Sequence, residues 1–421
     1  MSNKVKKFNL KYNNIPVIYQ YHEHKSTSII IDFNIGSMWE TEKEKGIAHL
    51  VEHLIFKDTG KHDSTELLKL LEVNGADINA CTSFDFTRFY FTSNNDSFKE
   101  TLHLFIEMLM FKNISEHEFK SEKSTVLQEL KMSLDNPNTQ IYYNWMKDIF
   151  NIDDIIGFEK TLKNITLKDV YRWISKYFIA NNMTISIVSG FSKNKIKKLL
   201  EQELCNFRSI DTNSYDYEKI EYLKSKVLKT ITHKYNQFNY KKKRQYQQNH
   251  IIVNYPLPIK CEDDIIKAEA VKKVLSNGLT SILFREIREK YGYCYTIKAY
   301  VDVLMDKDFR NIVGHNLIIS TNCMPQYVND CIKQIKKVMN NLNDIIIEED
   351  LIKIKNKHKN TYRNFIEKTE INLENYKIFG KIKNDIDKTF YNLTLNDIKE
   401  YINTIDTKSN ININVYGPQY E

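Results

Sequence analysis

Residues 46–56 read Gly-Ile-Ala-His-Leu-Val-Glu-His-Leu-Ile-Phe, an apolar run that is interrupted by His49, Glu52 and His53. The apolar residues have the spacing of a helix that is buried on one face. The two histidines are four residues apart, so their rings project from the same side of that helix and can hold one metal ion. Glu52 lies next to them, within reach of a water molecule on the ion. Because unsatisfied buried polar groups are costly, these side chains need a common partner, and the stretch predicts a metal site.

A catalytic zinc site needs a third protein ligand and an open position for water. Candidates lie on a helix that the sequence predicts over Glu116–Leu134, where Glu122 and Glu129 are seven residues apart and share one face. On their own, these two acids would be interpreted as an exposed stripe of the helix. A lone pair of histidines four residues apart would likewise be interpreted as surface or core residues.

The pattern His49-x-x-Glu52-His53, with Glu129 further along the chain, is similar to the pitrilysin and mitochondrial-processing-peptidase family. Its members are zinc metallopeptidases with an inverted motif, the inverzincins. The chain resembles a small two-domain bacterial-type member over nearly its whole length. The resemblance implies that His49, His53 and Glu129 bind one Zn²⁺ per chain and that Glu52 is the general base. It also implies that Glu122 supports the metal ligands from behind.

Two further segments resemble elements of the same family. The segment around Asn79 and Ala80 resembles the strand edge that receives an extended substrate by β-augmentation. Arg288 and Tyr295 match an Arg/Tyr element that contacts the substrate backbone and steadies the tetrahedral intermediate. Without the resemblance, a helix-surface arginine and a packed strand tyrosine would explain these two residues. The segment Asp148–Glu159 is short and lacks the family's common His-Pro element, so we expect the loop near the site to differ.

An internal repeat predicts the fold class. Thr166 and Thr394 each begin a predicted helix, with an aspartate three residues later, and a strand and a glycine follow in both places. We therefore predict an α+β chain of two homologous sandwich domains, each a mixed or antiparallel sheet covered by helices, from a duplicated unit of about 200 residues. The N-terminal half (residues 1–210) would carry the metal, and the C-terminal half (residues 223–421) would carry the Arg/Tyr element and no metal. The boundary falls in Asn206–Tyr222, which is polar and without periodicity.

Within the N-terminal half, the pattern predicts strands mixed with helices. The predicted strands are Lys6–Tyr21, Ser28–Ile35, Asp77–Thr82 and Thr87–Thr92. The predicted helices are Glu44–Phe56, Ser64–Val73, Ser97–Met110 and Glu116–Leu134, the last beginning with a capping box of Ser115 and Glu118.

Composition restricts the possible partners and compartment. The net charge of +7 contains one dense basic run, Lys241–Arg244, which is more simply a solvated loop between strands than a nucleic-acid site, since no other run accompanies it. The six cysteines have no zinc-knuckle or redox spacing and are expected to be free thiols of a reducing compartment. No apolar stretch reaches the roughly 18 residues of a membrane span, and the N-terminus has no apolar targeting segment. We expect a soluble, cytoplasmic protein without nucleic-acid or membrane partners.

The resemblance implies a zinc-dependent endopeptidase that hydrolyses unfolded peptides inside a closed chamber. In that family two-domain chains pair into a clamshell, so a homodimer or a heterodimer with a related subunit is expected. Two alternatives stay open. The first is a dedicated protease that removes the leader of one small peptide, such as a bacteriocin, together with a related partner subunit. The second is an inactive structural subunit, which would have no need to keep an intact zinc set.

Overall fold

The computed structural model describes residues 4–11, 13–110, 112–210, 215–243, 245–305, 311–360 and 364–420. Within them, two β-sheets form, one from each half of the chain. The first sheet contains β1 (Val5–Asn9), β2 (Pro16–Tyr21), β3 (Ser26–Phe33), β4 (Asp77–Thr82), β5 (Thr87–Asn94) and β6 (Met183–Ser189). The second contains β7 (Phe238–Lys242), β8 (Asn249–Leu257), β9 (Cys294–Met305), β10 (Asn311–Cys323) and β11 (Asn412–Gly417).

Helices cover both sheets. Those that precede the second sheet are α1 (Ile47–Ile55), α2 (Ser64–Val73), α3 (Phe98–Met110), α4 (Glu116–Asp135), α5 (Pro137–Phe150), α6 (Glu159–Asn164), α7 (Leu167–Tyr177), α8 (Lys193–Leu204) and α9 (Tyr215–Leu228). Those that follow are α10 (Glu262–Ser276), α11 (Val328–Asn340), α12 (Leu342–Ile345), α13 (Glu348–Asn360), α14 (Phe365–Phe379), α15 (Ile386–Asn392) and α16 (Leu395–Ile402). Short helical turns occur at Ser37–Trp39, Ala180–Asn182, Phe284–Glu289 and Pro325–Tyr327.

Five strands of the first sheet have the order of the five strands of the second, and β1 is an additional edge strand. This shared topology confirms the predicted α+β class with a duplicated unit. The strand orders of the two sheets are β1-β2-β6-β3-β5-β4 and β7-β11-β8-β10-β9. In each, one parallel pair (β2 with β6, β7 with β11) joins an antiparallel remainder. The repeated helices α7 and α16 begin with the capping boxes of Thr166 with Asp169 and Thr394 with Asp397.

Most predicted elements agree with the structure to within a few residues, and two differ. Lys6–Tyr21 was predicted as one strand, but β1 and β2 form a hairpin, because Asn13 and Asn14 adopt φ values of 60° and 52° and turn the chain. Part of Asn206–Tyr222 was predicted to lack periodicity, but α9 begins at Tyr215. Residues 211–214 of that stretch lie outside the described residues. The proposed limits at 210 and 223 stay a prediction, and α9 runs across residue 223.

One helix from each half packs on the sheet of the other half. Helix α5 packs on the second sheet, where the Tyr142 hydroxyl donates to Asp302 Oδ2 at 2.9 Å. Helix α14 packs on the first sheet, where the Ser186 hydroxyl donates to the Thr369 carbonyl at 2.8 Å. Apolar packing follows the same exchange, since Leu373 of α14 forms a buried cluster with residues of β2 and β3. The two sandwiches therefore depend on each other for one covered face.

A buried ionic cluster fastens α14 to the first sheet. Arg88 on β5 donates to both carboxylate oxygens of Asp32 on β3, at 2.7 and 3.0 Å. The same guanidinium donates to Glu370 and Glu374 of α14, at 2.8 and 2.6 Å. Lys377 of α14 reaches Asp32 at 2.6 Å. Burial opposes ionisation of Asp32, but Arg88 and Lys377 together hold its pKa below the usual value.

The basic run is placed differently from the prediction. Lys241 and Lys242 belong to the edge strand β7 rather than to a loop, and Arg244 lies outside the described residues. Lys241 reaches Asn144 and Asp148 of α5, at 2.7 and 3.5 Å. Lysines on an exposed edge discourage pairing with other strands. None of the helices in the described part of the chain is long and apolar enough to cross a membrane.

Candidate metal centre

Helix α1 begins where two chain segments meet very closely. Gly46 has a φ of +94°, and a Cβ at this position would lie 2.3 Å from the Ile156 carbonyl oxygen, so only glycine fits. The helix lacks a side-chain cap of the usual kind at Gly46. Instead, the buried carboxyl group of Glu40 accepts the N–H groups of Gly46 and Ala48, each at 2.8 Å. The start of the helix that carries the motif is thus fixed by Glu40 and by the loop before α6.

The structure brings the three predicted metal ligands together. His49 and His53 lie one turn apart on α1, with ring centroids 4.8 Å apart. Helix α4, which starts with the predicted Ser115–Glu118 capping box, packs on α1 and brings Glu129 opposite both rings. Glu129 Oε2 lies 3.8 Å from His49 Nε2 and 3.4 Å from His53 Nε2.

These residues fit a zinc ion. One ligand atom from each of the three side chains lies within 4.8 Å of the others, and among the described residues no other group of this kind occurs. Ligand atoms of a tetrahedral zinc with bonds of about 2.1 Å are about 3.4 Å apart, close to the separations seen here. Two imidazole nitrogens and one carboxylate oxygen are also the donors of known catalytic zinc sites.

The protonation of the three side chains suits metal binding. Burial lowers the pKa of His49 to about 4, so its ring is neutral at physiological pH. The contact with Glu129 raises the pKa of His53 and lowers the pKa of Glu129. Glu129 is therefore a carboxylate aimed at two imidazole rings. A metal cation would compete with the proton that His53 and Glu129 share.

Glu122 lies behind His53, on the side away from Glu129. Its Oε2 is 3.3 Å from His53 Nδ1, and its Oε1 is 2.8 Å from the Lys57 ammonium group. A carboxylate on the second nitrogen fixes the orientation of a metal-binding histidine. For the other histidine, His49 Nδ1 is buried, and the described residues provide no hydrogen-bond partner for it.

Glu52 lies on α1 beside the ligand cluster and next to the edge strand β4. Thr82, the last residue of β4, donates its hydroxyl to Glu52 Oε2 at 2.6 Å. Burial raises the pKa of Glu52 above its usual value, against the hydrogen bond from Thr82. Asn79 and Ala80 lie on the same strand, which pairs with β5 along one edge and with no other strand of the described residues along the other edge. The free edge of β4 thus ends beside the predicted general base.

Arg288 and Tyr295 lie together but apart from this cluster. The Arg288 guanidinium stacks 4.7 Å from the centre of the Tyr295 ring, and 73% of Tyr295 is exposed. Within the described residues, neither side chain makes a hydrogen bond, ion pair or ring contact with His49, Glu52 or Glu129. The element is therefore displayed on the surface of the C-terminal half.

Sequence reasoning missed Glu40, Lys57 and Thr82. Lys57 follows His53 at the helical spacing of four residues, which is a weak signal that it shares a face with the motif. Thr82 lies within the segment that resembles the substrate strand, but its contact with Glu52 depends on how β4 meets α1. Glu40 has no periodic relation to α1, and its role depends on the loop between them.

The chain is similar to known peptidases over most of its length. A family profile described as insulinase (peptidase family M16) matches residues 16–155, and a second, described as the peptidase M16 inactive domain, matches residues 164–357. Zinc protease PqqE of Helicobacter pylori is 25% identical over 334 residues, which cover 77% of this chain and 73% of that protein. An uncharacterized zinc protease of Rickettsia felis is 23% identical over 391 residues, 90% of each chain.

The fold is also found in solved structures. The crystal structure of a protease from Helicobacter pylori matches with a TM-score of 0.84 at 20% identity, covering 99% of this chain and 100% of that one. The two family profiles match consecutive parts of the chain and together span most of it, so the chain belongs to peptidase family M16, the insulinase family.

Proposed function

We propose that this chain is a zinc-dependent endopeptidase whose metal is held by His49, His53 and Glu129. The observation that carries the proposal is the convergence of these three ligand atoms within 4.8 Å, with Glu52 one residue before His53 on the same helix. Relatives that are named zinc proteases support the choice of metal and of reaction class.

Glu52 acts as the general base of the proposed reaction. A zinc ion at this site would polarise the scissile carbonyl and lower the pKa of water towards neutrality. Glu52 takes a proton from the attacking water as its oxygen adds to the carbonyl carbon of the peptide bond. The carboxyl group of Glu52 then gives that proton to the amine nitrogen of the leaving fragment as the C–N bond breaks. Burial raises its pKa, which suits a group that must both accept and release a proton.

An extended peptide is the proposed substrate. Asn79 and Ala80 lie along the free edge of β4, where the Ala80 N–H donates to Asn79 Oδ1 at 2.8 Å and would exchange this partner for a peptide carbonyl, and the strand ends at Thr82 beside Glu52. Main-chain pairing of this kind holds a peptide with little demand on its sequence and requires that the peptide be unfolded.

The site is completed by a second chain in this proposal. On the C-terminal half Tyr295 is exposed and Arg288 partly exposed, and neither contacts the metal cluster of its own chain in the described residues. A homodimer, or a heterodimer with a related subunit, would bring them to the oxyanion of the opposite site within a closed chamber. The six unpaired cysteines favour a reducing, cytoplasmic compartment.

The test compares the wild type with Glu52→Gln and, as a matched control, Glu269→Gln on α10. Zinc content and cleavage of a mixed library of unstructured peptides are measured for each protein. We expect zinc in all three and cleavage by the wild type and Glu269→Gln only. A wild type that binds zinc but cuts nothing alone would favour a missing partner or a single dedicated substrate. A wild type that binds no zinc contradicts the proposal.

A further inference from the structure

The strand edge that would hold the substrate ends in a side chain that touches the general base. Thr82 closes β4 and donates its hydroxyl to Glu52 Oε2 at 2.6 Å. The backbone N–H of Thr82 contributes a second hydrogen bond to the same carboxyl group, so the hydroxyl and the N–H of this residue both hold Glu52. A short hydrogen bond to a charged acceptor is among the stronger ones in proteins and restricts the rotation of the side chain.

The pleat of β4 explains why Thr82 faces α1. Along the strand, Ile78, Ala80 and Thr82 are half-buried and alternate with the exposed Asp77, Asn79 and Cys81. Ile78 and Ala80 pack against the core of the N-terminal half, so the third member of that row points to the same side. Thr82 itself pairs with Thr87 of β5, which sets its backbone position.

The position of Thr82 connects the pairing of a peptide with β4 to the orientation of Glu52. A peptide that adds to the free edge of β4 immobilises that strand, including its last residue, because main-chain hydrogen bonds restrict both partners. The Thr82 hydroxyl then holds the carboxylate of Glu52 in one orientation. A peptide too short to pair along β4 leaves that strand, and therefore Glu52, less restricted.

We infer that Thr82 is a positioning residue that orients Glu52 in response to a peptide backbone paired along β4. The inference rests on the proposed function and deepens it, since the contact between Thr82 and Glu52 would make the enzyme select substrates by the length of their extended segment. Binding energy from the remote part of the substrate then appears in kcat and not only in KM.

The experiment combines the wild type and two Thr82 variants with two lengths of substrate. A fluorescence-quenched peptide that the wild type cuts, and the same peptide shortened on the side that pairs with β4, are assayed with the wild type, Thr82→Val and Thr82→Ser. Thr92→Val, on the neighbouring strand β5, is the control. For the long peptide we expect Thr82→Val to lower kcat about tenfold with KM unchanged, and Thr82→Ser and Thr92→Val to retain it.

The dependence on length provides the readout that a merely structural role would not change. In the wild type, shortening the peptide should lower kcat, and in Thr82→Val the two peptides should have the same kcat. If Thr82→Val keeps the wild-type kcat, or loses zinc, or still discriminates by length, the inference is wrong.

A measurement without turnover separates the inference from the proposed function. Crystal structures of zinc-free wild type and Thr82→Val, each with the long peptide bound, report the orientation of Glu52 directly. We expect one orientation in the wild type and a different or mixed orientation in Thr82→Val. The same single orientation in both would overturn the inference, whether or not any peptide is cut. A wild type that binds no zinc would instead contradict the proposed function and leave the structural comparison to decide the role of Thr82.

Discussion

Helices α1 and α10 hold the same place in the two halves but bury different chemistry. Each follows the central strand of its sheet (β3 or β8) and precedes the edge strand (β4 or β9). The inner face of α10 is apolar, with Ile266, Val271 and Leu275 buried. The inner face of α1 instead includes the buried His49 and the half-buried Glu52 and His53. The fold therefore does not require polar residues on the inner face of this helix. Burying them in α1 costs desolvation free energy, which indicates that they form a functional site in the N-terminal half.

The largest expected effect concerns the histidines. We expect His53→Ala to lower zinc affinity more than a hundredfold, because loss of an outer-shell partner alone costs 10- to about 100-fold. Glu122→Gln, which changes that outer partner, should fall within this smaller range. His358→Ala, on α13 of the C-terminal half, should leave zinc affinity unchanged. Competition titrations against a zinc indicator measure all three affinities. Equal losses in His53→Ala and His358→Ala would contradict the assignment of the zinc site to the N-terminal half.

The second prediction asks whether the two halves unfold separately. Zinc at a thousandfold excess over its dissociation constant stabilises a folded protein by about 4 kcal/mol. Because α5 and α14 are exchanged between the sheets, we expect the whole chain to unfold in one transition, and zinc should raise the temperature of that single transition. Scanning calorimetry with and without a chelator measures this. Two transitions, of which zinc moves only one, would show that the exchanged helices do not couple the halves.

The sequence predicted the parts of the site that follow from helical spacing. His49, Glu52 and His53 are one turn of one helix, and Glu122 and Glu129 lie two turns apart on another, so periodicity alone aligns them. The pairing of Glu129 with α1 needed the family resemblance, because nothing in the spacing says which helices pack together. Thr82 was beyond prediction, since its contact depends on where an edge strand ends relative to α1.

The exchange of helices was also beyond prediction, for a different physical reason. The apolar faces of α5 and α14 would fit either sheet, and a hydrophobic pattern does not say which sheet covers it. The choice is made by polar contacts between distant residues, such as Tyr142 with Asp302 and Arg88 with Glu374. These pairs are more than 100 residues apart in the chain and have no local signature.

The third prediction compares the two exchanged helices. Arg88→Met leaves Asp32 fully buried with Lys377 as its remaining cation, and breaking such a buried pair costs about 3–5 kcal/mol. Tyr142→Phe removes one hydrogen bond to Asp302 from α5, which costs about 1 kcal/mol. Urea denaturation of the zinc-free proteins measures both. Similar losses would mean that the ionic cluster under α14 adds nothing over the single Tyr142–Asp302 hydrogen bond under α5.

The smallest expected effect concerns Glu40 at the start of α1. Burial raises the pKa of Glu40 to about 8, outweighing the two N–H donors that favour its charged form. The unfolded chain releases this proton near pH 4.5, so the folded state binds more protons between the two values. The stabilising contribution of Glu40 is therefore complete below pH 4.5 and is lost as the pH rises towards 8. Glu40→Gln carries no titrating group and should lack this dependence.

The measurement is the difference in the free energy of unfolding between wild type and Glu40→Gln, in zinc-free protein so that the metal ligands contribute equally to both. One pKa unit corresponds to about 1.4 kcal/mol. Between mildly acidic and mildly alkaline pH, we therefore expect the free energy of unfolding of the wild type to fall by at least about 1 kcal/mol relative to that of Glu40→Gln. A constant difference, or a shift in the opposite direction, would mean that the N–H groups of Gly46 and Ala48 keep Glu40 ionised. In that case α1 would start on a buried carboxylate, and the N-terminal half would bear a second electrostatic cost, besides that of its metal ligands.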